Sequence, residues 1–317
     1  MTSNDKQSIK IAVVGDVHNQ WEAEDGMALQ HLGVDLVLFV GDFGNEAVEV
    51  VRQIAALEIP KAVIMGNHDA WYTASHWGRK RSPYDQKKED WVQQQLELLG
   101  ATHVGYGKLD FPEFKLSVVG SRPFSWGGPE WKNEKFLRKR YGVNNFAESR
   151  ERIVEAAQNT AYETLIFLAH NGPFGLGSEP EDICGKDWQP LGGDYGDPDL
   201  AEAITKVRDL GKKIPLVTFG HMHHSLRHTK ERLRTTLCRS PQETVYLNAA
   251  SVPRIITEED SSSVSPQLMR RRNFSLVSLV DGEVQQISLV WMGEDYQIVS
   301  QTILYSQDQS LAETVSG

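Results

Sequence analysis

Five apolar runs, each ending in a polar side chain that can bind a metal or move a proton, constrain this chain more than any other feature. "IKIAVV" leads into Gly15-Asp16, "VDLVLFV" into Gly41-Asp42, and "KAVIM" into Gly66-Asn67-His68-Asp69. "TLIFLA" leads into His170-Asn171, and "IPLVTF" into Gly220-His221. The runs are short, rich in β-branched residues and almost continuously apolar, as expected of strands covered on both faces. Helical patterns alternate with them, so the chain reads as α/β. Ligands in open α/β sheets gather outside the carboxyl ends of the strands. Five strands delivering such groups to one edge read as a site, although single histidines near strand ends are often loop residues.

The helices between the strands are legible. "NEAVEVVRQIAALE" sets Val48, Val51, Ile54 and Ala55 at helical spacing, with Asn45 expected as N-cap. "DPDLAEAITKVRDLG" offers Asp197 as a cap, Pro198 for the first turn and Gly211 for the exit. "KKEDWVQQQLELLG" and "SRERIVEAAQNTAYE" give two more helices, and "TVYLNAA" a later strand. "FSLVSLVDGEVQQISLVWM" reads as a hairpin turning at Asp281-Gly282. These late strands imply a second sheet, hence a two-sheet β-sandwich core flanked by helices. No linker divides the chain. A single domain over residues 1–305 is expected, with a long insertion at about 70–162 and a polar loop at 257–272. A polar tail, 306–317, is expected to be disordered.

Charge bounds the partners. The net charge is −10, from 33 Lys and Arg against 43 Asp and Glu. A broad nucleic-acid or anionic-membrane surface needs clustered cations and is not expected. A small anionic substrate stays compatible, because a bound metal dominates the field of one cleft. No apolar run approaches the ~20 residues of a membrane span. The first residues, "MTSNDKQS", have no signal-peptide core, and Cys184 and Cys238 read as free thiols. The expected location is the cytoplasm. Nothing in the chain sets the oligomeric state.

In order, the chain presents "GDVH" (Gly15 to His18), "GD" (Asp42), "GNHD" (Gly66 to Asp69), "AHNG" (His170) and "GHMH" (Gly220 to His223). Carboxylates, an amide oxygen and imidazoles suit borderline-hard divalent metals such as manganese, iron or zinc, and the lack of Cys argues against a structural zinc. The series resembles the calcineurin-like metallophosphoesterases, whose pattern is D-x-H, GD, GNH(D/E), a lone His and G-H-x-H. "VGDFGNE" and "LGGDYGDPDL" further resemble a cyanobacterial or plastid branch of that family.

The resemblance implies two divalent metal ions, manganese first, with iron or zinc as alternatives. Asp16, His18 and His223 would hold one ion, and Asn67, His170 and His221 the other, with Asp42 bridging. It implies hydrolysis of a phosphomonoester or phosphodiester in a small phosphorylated substrate, by attack of a metal-bridging water or hydroxide. His68 would face the substrate as an acid, steered by a carboxylate, and Asp69 is one candidate for that role. His221 and His223 are expected to share a face of an extended segment, one per metal, with His224 turned away. His31, His76, His103 and His228 fall outside the motifs and read as structural.

Some departures shape the expectation. "GDFGNE" lacks the arginine that grips phosphate in the protein Ser/Thr phosphatases, and "GNHD" differs from their GNHE. Asn19 stands where Gly is frequent and is a candidate substrate contact. Arg122 follows the strand-like run "KLSVVGS" and is the other candidate, since a guanidinium grips phosphate bidentately. The segment 120–142, with Trp126, Trp131 and a Lys/Arg cluster, is expected to cover the metals, although a satellite core with a solvated basic face would read the same way. The alternative function is a non-catalytic binding scaffold on this fold. All seven ligand positions and His68 are present, which favours the enzyme.

Overall fold

The structure is a computed structural model and describes residues 7–259 and 268–308. In chain order its strands are β1 (Ser8–Val14), β2 (Leu36–Phe39), β3 (Lys61–Val63), β4 (Lys108–Phe111), β5 (Leu116–Gly120), β6 (Thr164–Leu168) and β7 (Lys213–Phe219), then β8 (Leu237–Arg239), β9 (Val245–Asn248), β10 (Ile255–Glu259), β11 (Leu268–Val280), β12 (Glu283–Met292) and β13 (Ile298–Ser306). They form two sheets. One has the order β13-β12-β11-β1-β2-β3, with β10 paired to β11. The other has the order β4-β5-β6-β7-β9-β8. The centre of each is parallel: β1 with β2 and β2 with β3 in one, β5, β6, β7 and β9 in the other.

Alternation along the strands builds three cores. Ile9, Ile11 and Val13 of β1 meet Val118, Ile166 and Leu216 of the opposite sheet in the space between the sheets. Ala12 and Val14 turn the other way, towards Ala28, Leu29, Val51 and Ile54 on helices Ala23–Leu32 and Val48–Ala55. Leu165, Phe167 and Val217 face Ile153, Leu200 and Val207 on helices Phe146–Gln158 and Pro198–Asp209. Side-chain period two thus makes a helix–sheet–sheet–helix sandwich, in which both sheets are covered. Truncating a fully buried member such as Ile166 to Ala is worth about 2–5 kcal/mol.

Three expectations about organisation change. The stretch 70–162 is not set apart from the core, because β5 pairs in register with β6, from Leu116 opposite Thr164 to Gly120 opposite Leu168. The stretch 257–272 is not a loop at its ends. Thr257–Glu259 of β10 pair with Leu268–Arg270 of β11, and Ile255 lies opposite Arg272. A two-stranded ribbon with mainly polar side chains has no apolar alternation to betray it. Residues 260–267 lie outside the described residues, as do 309–317 of the expected tail; β13 runs to Ser306. The hairpin around Asp281-Gly282 forms as expected, with Val280 opposite Glu283.

Candidate metal centre

The carboxyl ends of β1, β2, β3, β6 and β7 converge between the sheets. Asp16, His18 and His223 place ligand atoms within 4.8 Å of one another, and so do Asp42, His170 and His221. His223 Nε2 lies 3.2 Å from Asp16 Oδ2 and 3.1 Å from His18 Nε2. Asn67 joins the second group, its Oδ1 2.9 Å from His170 Nε2. Asp42 stands between the groups. Its Oδ1 is 3.4 Å from His170 Nε2, and its Oδ2 is 3.9 Å from His18 Nε2.

The backbone is bent to achieve this. His18, Asp42 and His221 have left-handed conformations, with φ of 45°, 54° and 66°. Such residues cost about 1–3 kcal/mol and cluster at functional sites. Close approach also explains two glycines. A Cβ on Gly66 would stand 2.3 Å from Asp42 Oδ1, and one on Gly220 would stand 2.1 Å from Asp16 Oδ1. The left-handed turn at His221 corrects one expectation: residues 221–223 are not extended, yet His221 and His223 still serve different groups. His224 turns away, with Nδ1 accepting from the Val252 amide at 3.1 Å.

Electrostatics prepares these groups as ligands. Burial, reinforced by His170, pushes His221 down to about 3, so its ring is neutral with a free lone pair. Burial also lowers His18. For Asp16, burial opposes ionisation, but the His223 hydrogen bond and nearby imidazoles outweigh it and hold the carboxyl below its usual range. Asp42 is likewise held low against burial, by His170 and His68. Burial works against protonation of His223, and the Asp16 contact reverses that. Two buried carboxylates ringed by imidazoles, two of whose nitrogens face each other at 3.1 Å, form a donor set of nitrogen and oxygen that fits divalent cations.

His68 sits beside the groups, not within them. Its ring is 5.1 Å from that of His18 and stacks on Trp71 at 5.0 Å and 7°. Its Nδ1 lies 2.7 Å from Asn45 Oδ1. Two expectations are corrected here. Asn45 does not cap the helix Val48–Ala55, whose N-cap is Ala47. Asp69 does not steer His68: its carboxylate accepts from the amides of Gly66, Phe43 and Asp42 at 2.6, 2.8 and 3.0 Å. It ties the end of β3 to the end of β2 and so fixes the backbone of Asp42.

A cavity of about 400 Å³ opens on both groups. Arg122 is not among its lining residues. Its guanidinium is buried, donating to Asp199 at 2.9 Å and to Asp197 at 2.8 Å, and it packs on Trp131 and Phe146. Two carboxylates have claimed the fork that was expected to hold phosphate, and Asp197 is thereby diverted from capping its helix. Asn19 is exposed on a neighbouring loop, outside the cavity, with its amide against Gly44. Of the two tryptophans in the 120–142 segment, Trp126 lines the cavity and Trp131 does not. Sequence reasoning missed Trp71, Trp188, Tyr195 and Arg227, which also line it. No motif marks them; only the fold brings them together.

No curated protein matches the chain. Among solved structures, a protein of Thermus thermophilus is similar at 11% identity and a TM-score of 0.46, over 94% of this chain and 99% of that one. A dimetal phosphatase from Danio rerio is similar at 12% identity and a TM-score of 0.46, over 96% and 100%. Purple acid phosphatase from yellow lupin seeds is similar at 15% identity and a TM-score of 0.40, over 93% of this chain and 53% of that one. Residues 9–225, which carry all five strand-end motifs, match the calcineurin-like phosphoesterases. The chain belongs to the calcineurin-like phosphoesterase family and is a metal-dependent phosphoric ester hydrolase; the family implies two divalent metal ions, and the two groups of side chains are the candidates to hold them.

Proposed function

We propose that this chain hydrolyses a phosphomonoester or phosphodiester of a small molecule in the cytoplasm. In this reading Asp16, His18 and His223 hold one ion, Asn67, His170 and His221 hold the other, and Asp42 is shared. The observation that supports it most is the division of Asp42, whose two oxygens face His170 and His18 at 3.4 and 3.9 Å. The nitrogen and oxygen donors favour manganese, with iron or zinc as alternatives. When bound, two such ions neutralise charge on a phosphoryl group and acidify a water.

The protein's own groups would do the rest. The Asn45 amide oxygen accepts from Nδ1–H of His68, so Nε2 is the nitrogen that, in the imidazolium form, would give its proton to the departing oxygen and leave the neutral Nδ1–H ring. Stacking on Trp71 fixes the plane of the ring, so Nε2 keeps one direction. Asp42 Oδ1 also accepts from the His68 amide at 2.8 Å, which couples the position of the acid to that of the shared carboxylate.

The test separates binding from chemistry. His68→Asn is expected to retain about two metal ions per chain by elemental analysis and to lose about 10²–10⁴-fold in rate on a chromogenic phosphoester. Loss of an ion in that variant would place His68 among the ligands. Full activity would remove it from the chemistry.

A further inference from the structure

Two groups of aromatic rings line the cavity over the candidate metal centre. One is a ladder that starts at the reacting end: His68 stacks on Trp71 at 5.0 Å, and Trp71 stacks on Trp126 at 5.3 Å and 25°. The other is Trp188 edge-on to Tyr195 at 4.7 Å and 80°. Arg227 lies over the Trp188 ring at 5.2 Å and has no carboxylate or carbonyl partner for its guanidinium among the described residues. All of these side chains belong to one continuous lining that also contains His221 and His223.

Both groups are anchored to buried structure. Trp126 follows Ser125, whose hydroxyl donates to Asp197 at 2.8 Å, and the Asn171 amide nitrogen donates to the Tyr195 carbonyl at 2.9 Å. Arg122 clamps Asp197 and Asp199. The Tyr195 hydroxyl accepts from Lys132, and the ring is pressed on Gly128, where a Cβ would stand 2.8 Å away. The rings therefore form a preformed slot and need not fold inward to meet a guest. A cavity lined by three indoles and a phenol, with a guanidinium among them, suits a flat ring system. Its volume lies within the range of small-ligand sites.

We infer that the substrate is a phosphoester carrying a planar aromatic group of nucleobase size, seated between the Trp71–Trp126 ladder and the Trp188–Tyr195 pair while its phosphate faces the metal ions. This rests on the phosphoesterase reading above for the phosphate end only. Base–aromatic stacking in such sites gives a preference of about 5- to 150-fold over a ligand without the base.

The experiment compares adenosine 5′-monophosphate with ribose 5-phosphate, which share the phosphate and sugar and differ by the base. Dissociation constants are measured by calorimetry on the manganese-loaded protein, and kcat/KM is measured alongside. Wild type is expected to prefer the base-bearing ligand about 5- to 150-fold in binding. In Trp188→Ala that ratio should fall towards one, and Trp188→Phe should restore much of it. Equal affinities in wild type, or a ratio untouched by Trp188→Ala, would overturn the inference even if both compounds are hydrolysed. Tight, Trp188-dependent binding without turnover would support the slot and count against the hydrolytic reading instead.

Discussion

The side-chain oxygen of Asn45 lies 2.7 Å from Nδ1 of His68. The group that orients the His68 ring is thus a neutral amide, where a carboxylate was expected. An amide fixes the tautomer and orientation of the ring without adding a negative charge to stabilise its protonated form. Asn45→Asp supplies that charge and keeps the shape. The alkaline limb of the pH–rate profile, where a proton donor is lost, should therefore move to higher pH. Asn45→Ala should lower kcat without changing the number of bound metal ions. A pH profile unmoved by Asn45→Asp would show that His68 is not the proton donor.

The parts of the site at strand ends were legible because a strand end is written in sequence as a change from apolar to polar. Asp16, Asp42, Asn67, His170 and His221 each stand one or two residues beyond such a run. Contacts set by turns were not legible. Asn45 resembles a helix cap because it precedes a helical pattern, but Asp42 and Glu46 have left-handed φ values and the chain turns its amide to His68. Asp69 resembles a partner for its neighbour, yet its carboxylate meets three amides near the ends of two strands. Arg122 does stand at a strand end, but its carboxylate partners lie 75 and 77 residues away, and no local pattern announces them. Of the aromatic lining only Trp126 was marked in the sequence, since Trp71, Trp126 and Trp188 come from three separate segments. The strand order was legible only as two sheets; that β5 belongs in the second one could not be told from an apparent insertion.

Arg122 makes a structural prediction in place of the one its sequence position invited. Its guanidinium is 2% exposed and is shared by Asp197 and Asp199, while Ser149 also binds Asp199. Removing one partner of a buried ion pair leaves an uncompensated charge and costs about 3–5 kcal/mol. Arg122→Ala should lower the urea midpoint accordingly, and Arg122→Lys should recover little, because a single ammonium cannot span both carboxylates. Burial already pushes Asp197 up to about 6 in spite of Arg122. Without the guanidinium that carboxyl should be protonated more readily in the folded state. The loss of stability should therefore be smaller at pH 5.5 than at pH 8. A variant of unchanged midpoint but raised KM would return Arg122 to the substrate.

His103 gives the clearest pH dependence away from the metal ligands. Its ring packs beside Pro123 and Gly105, and its Nε2 is buried without a hydrogen-bond partner. Burial pushes its pKa from 6.5 down to about 4. In the unfolded chain the ring takes up a proton near pH 6.5, whereas the folded ring resists until about pH 4. Between those values the unfolded state binds more protons, so stability falls as pH falls. The contribution is complete above pH 6.5 and is lost towards pH 4, with a ceiling of about 3 kcal/mol at roughly 1.4 kcal/mol per pH unit. His103→Leu removes the titrating group and leaves no buried nitrogen unpaired. Wild type and variant should have similar urea midpoints at pH 7.5, and the variant should lose less stability on going to pH 4.5. Acid loss of metal affects both proteins alike, so the difference between them isolates the ring. Parallel stability curves for the two proteins across that interval would show that His103 is already protonated, or already solvated, in the folded state.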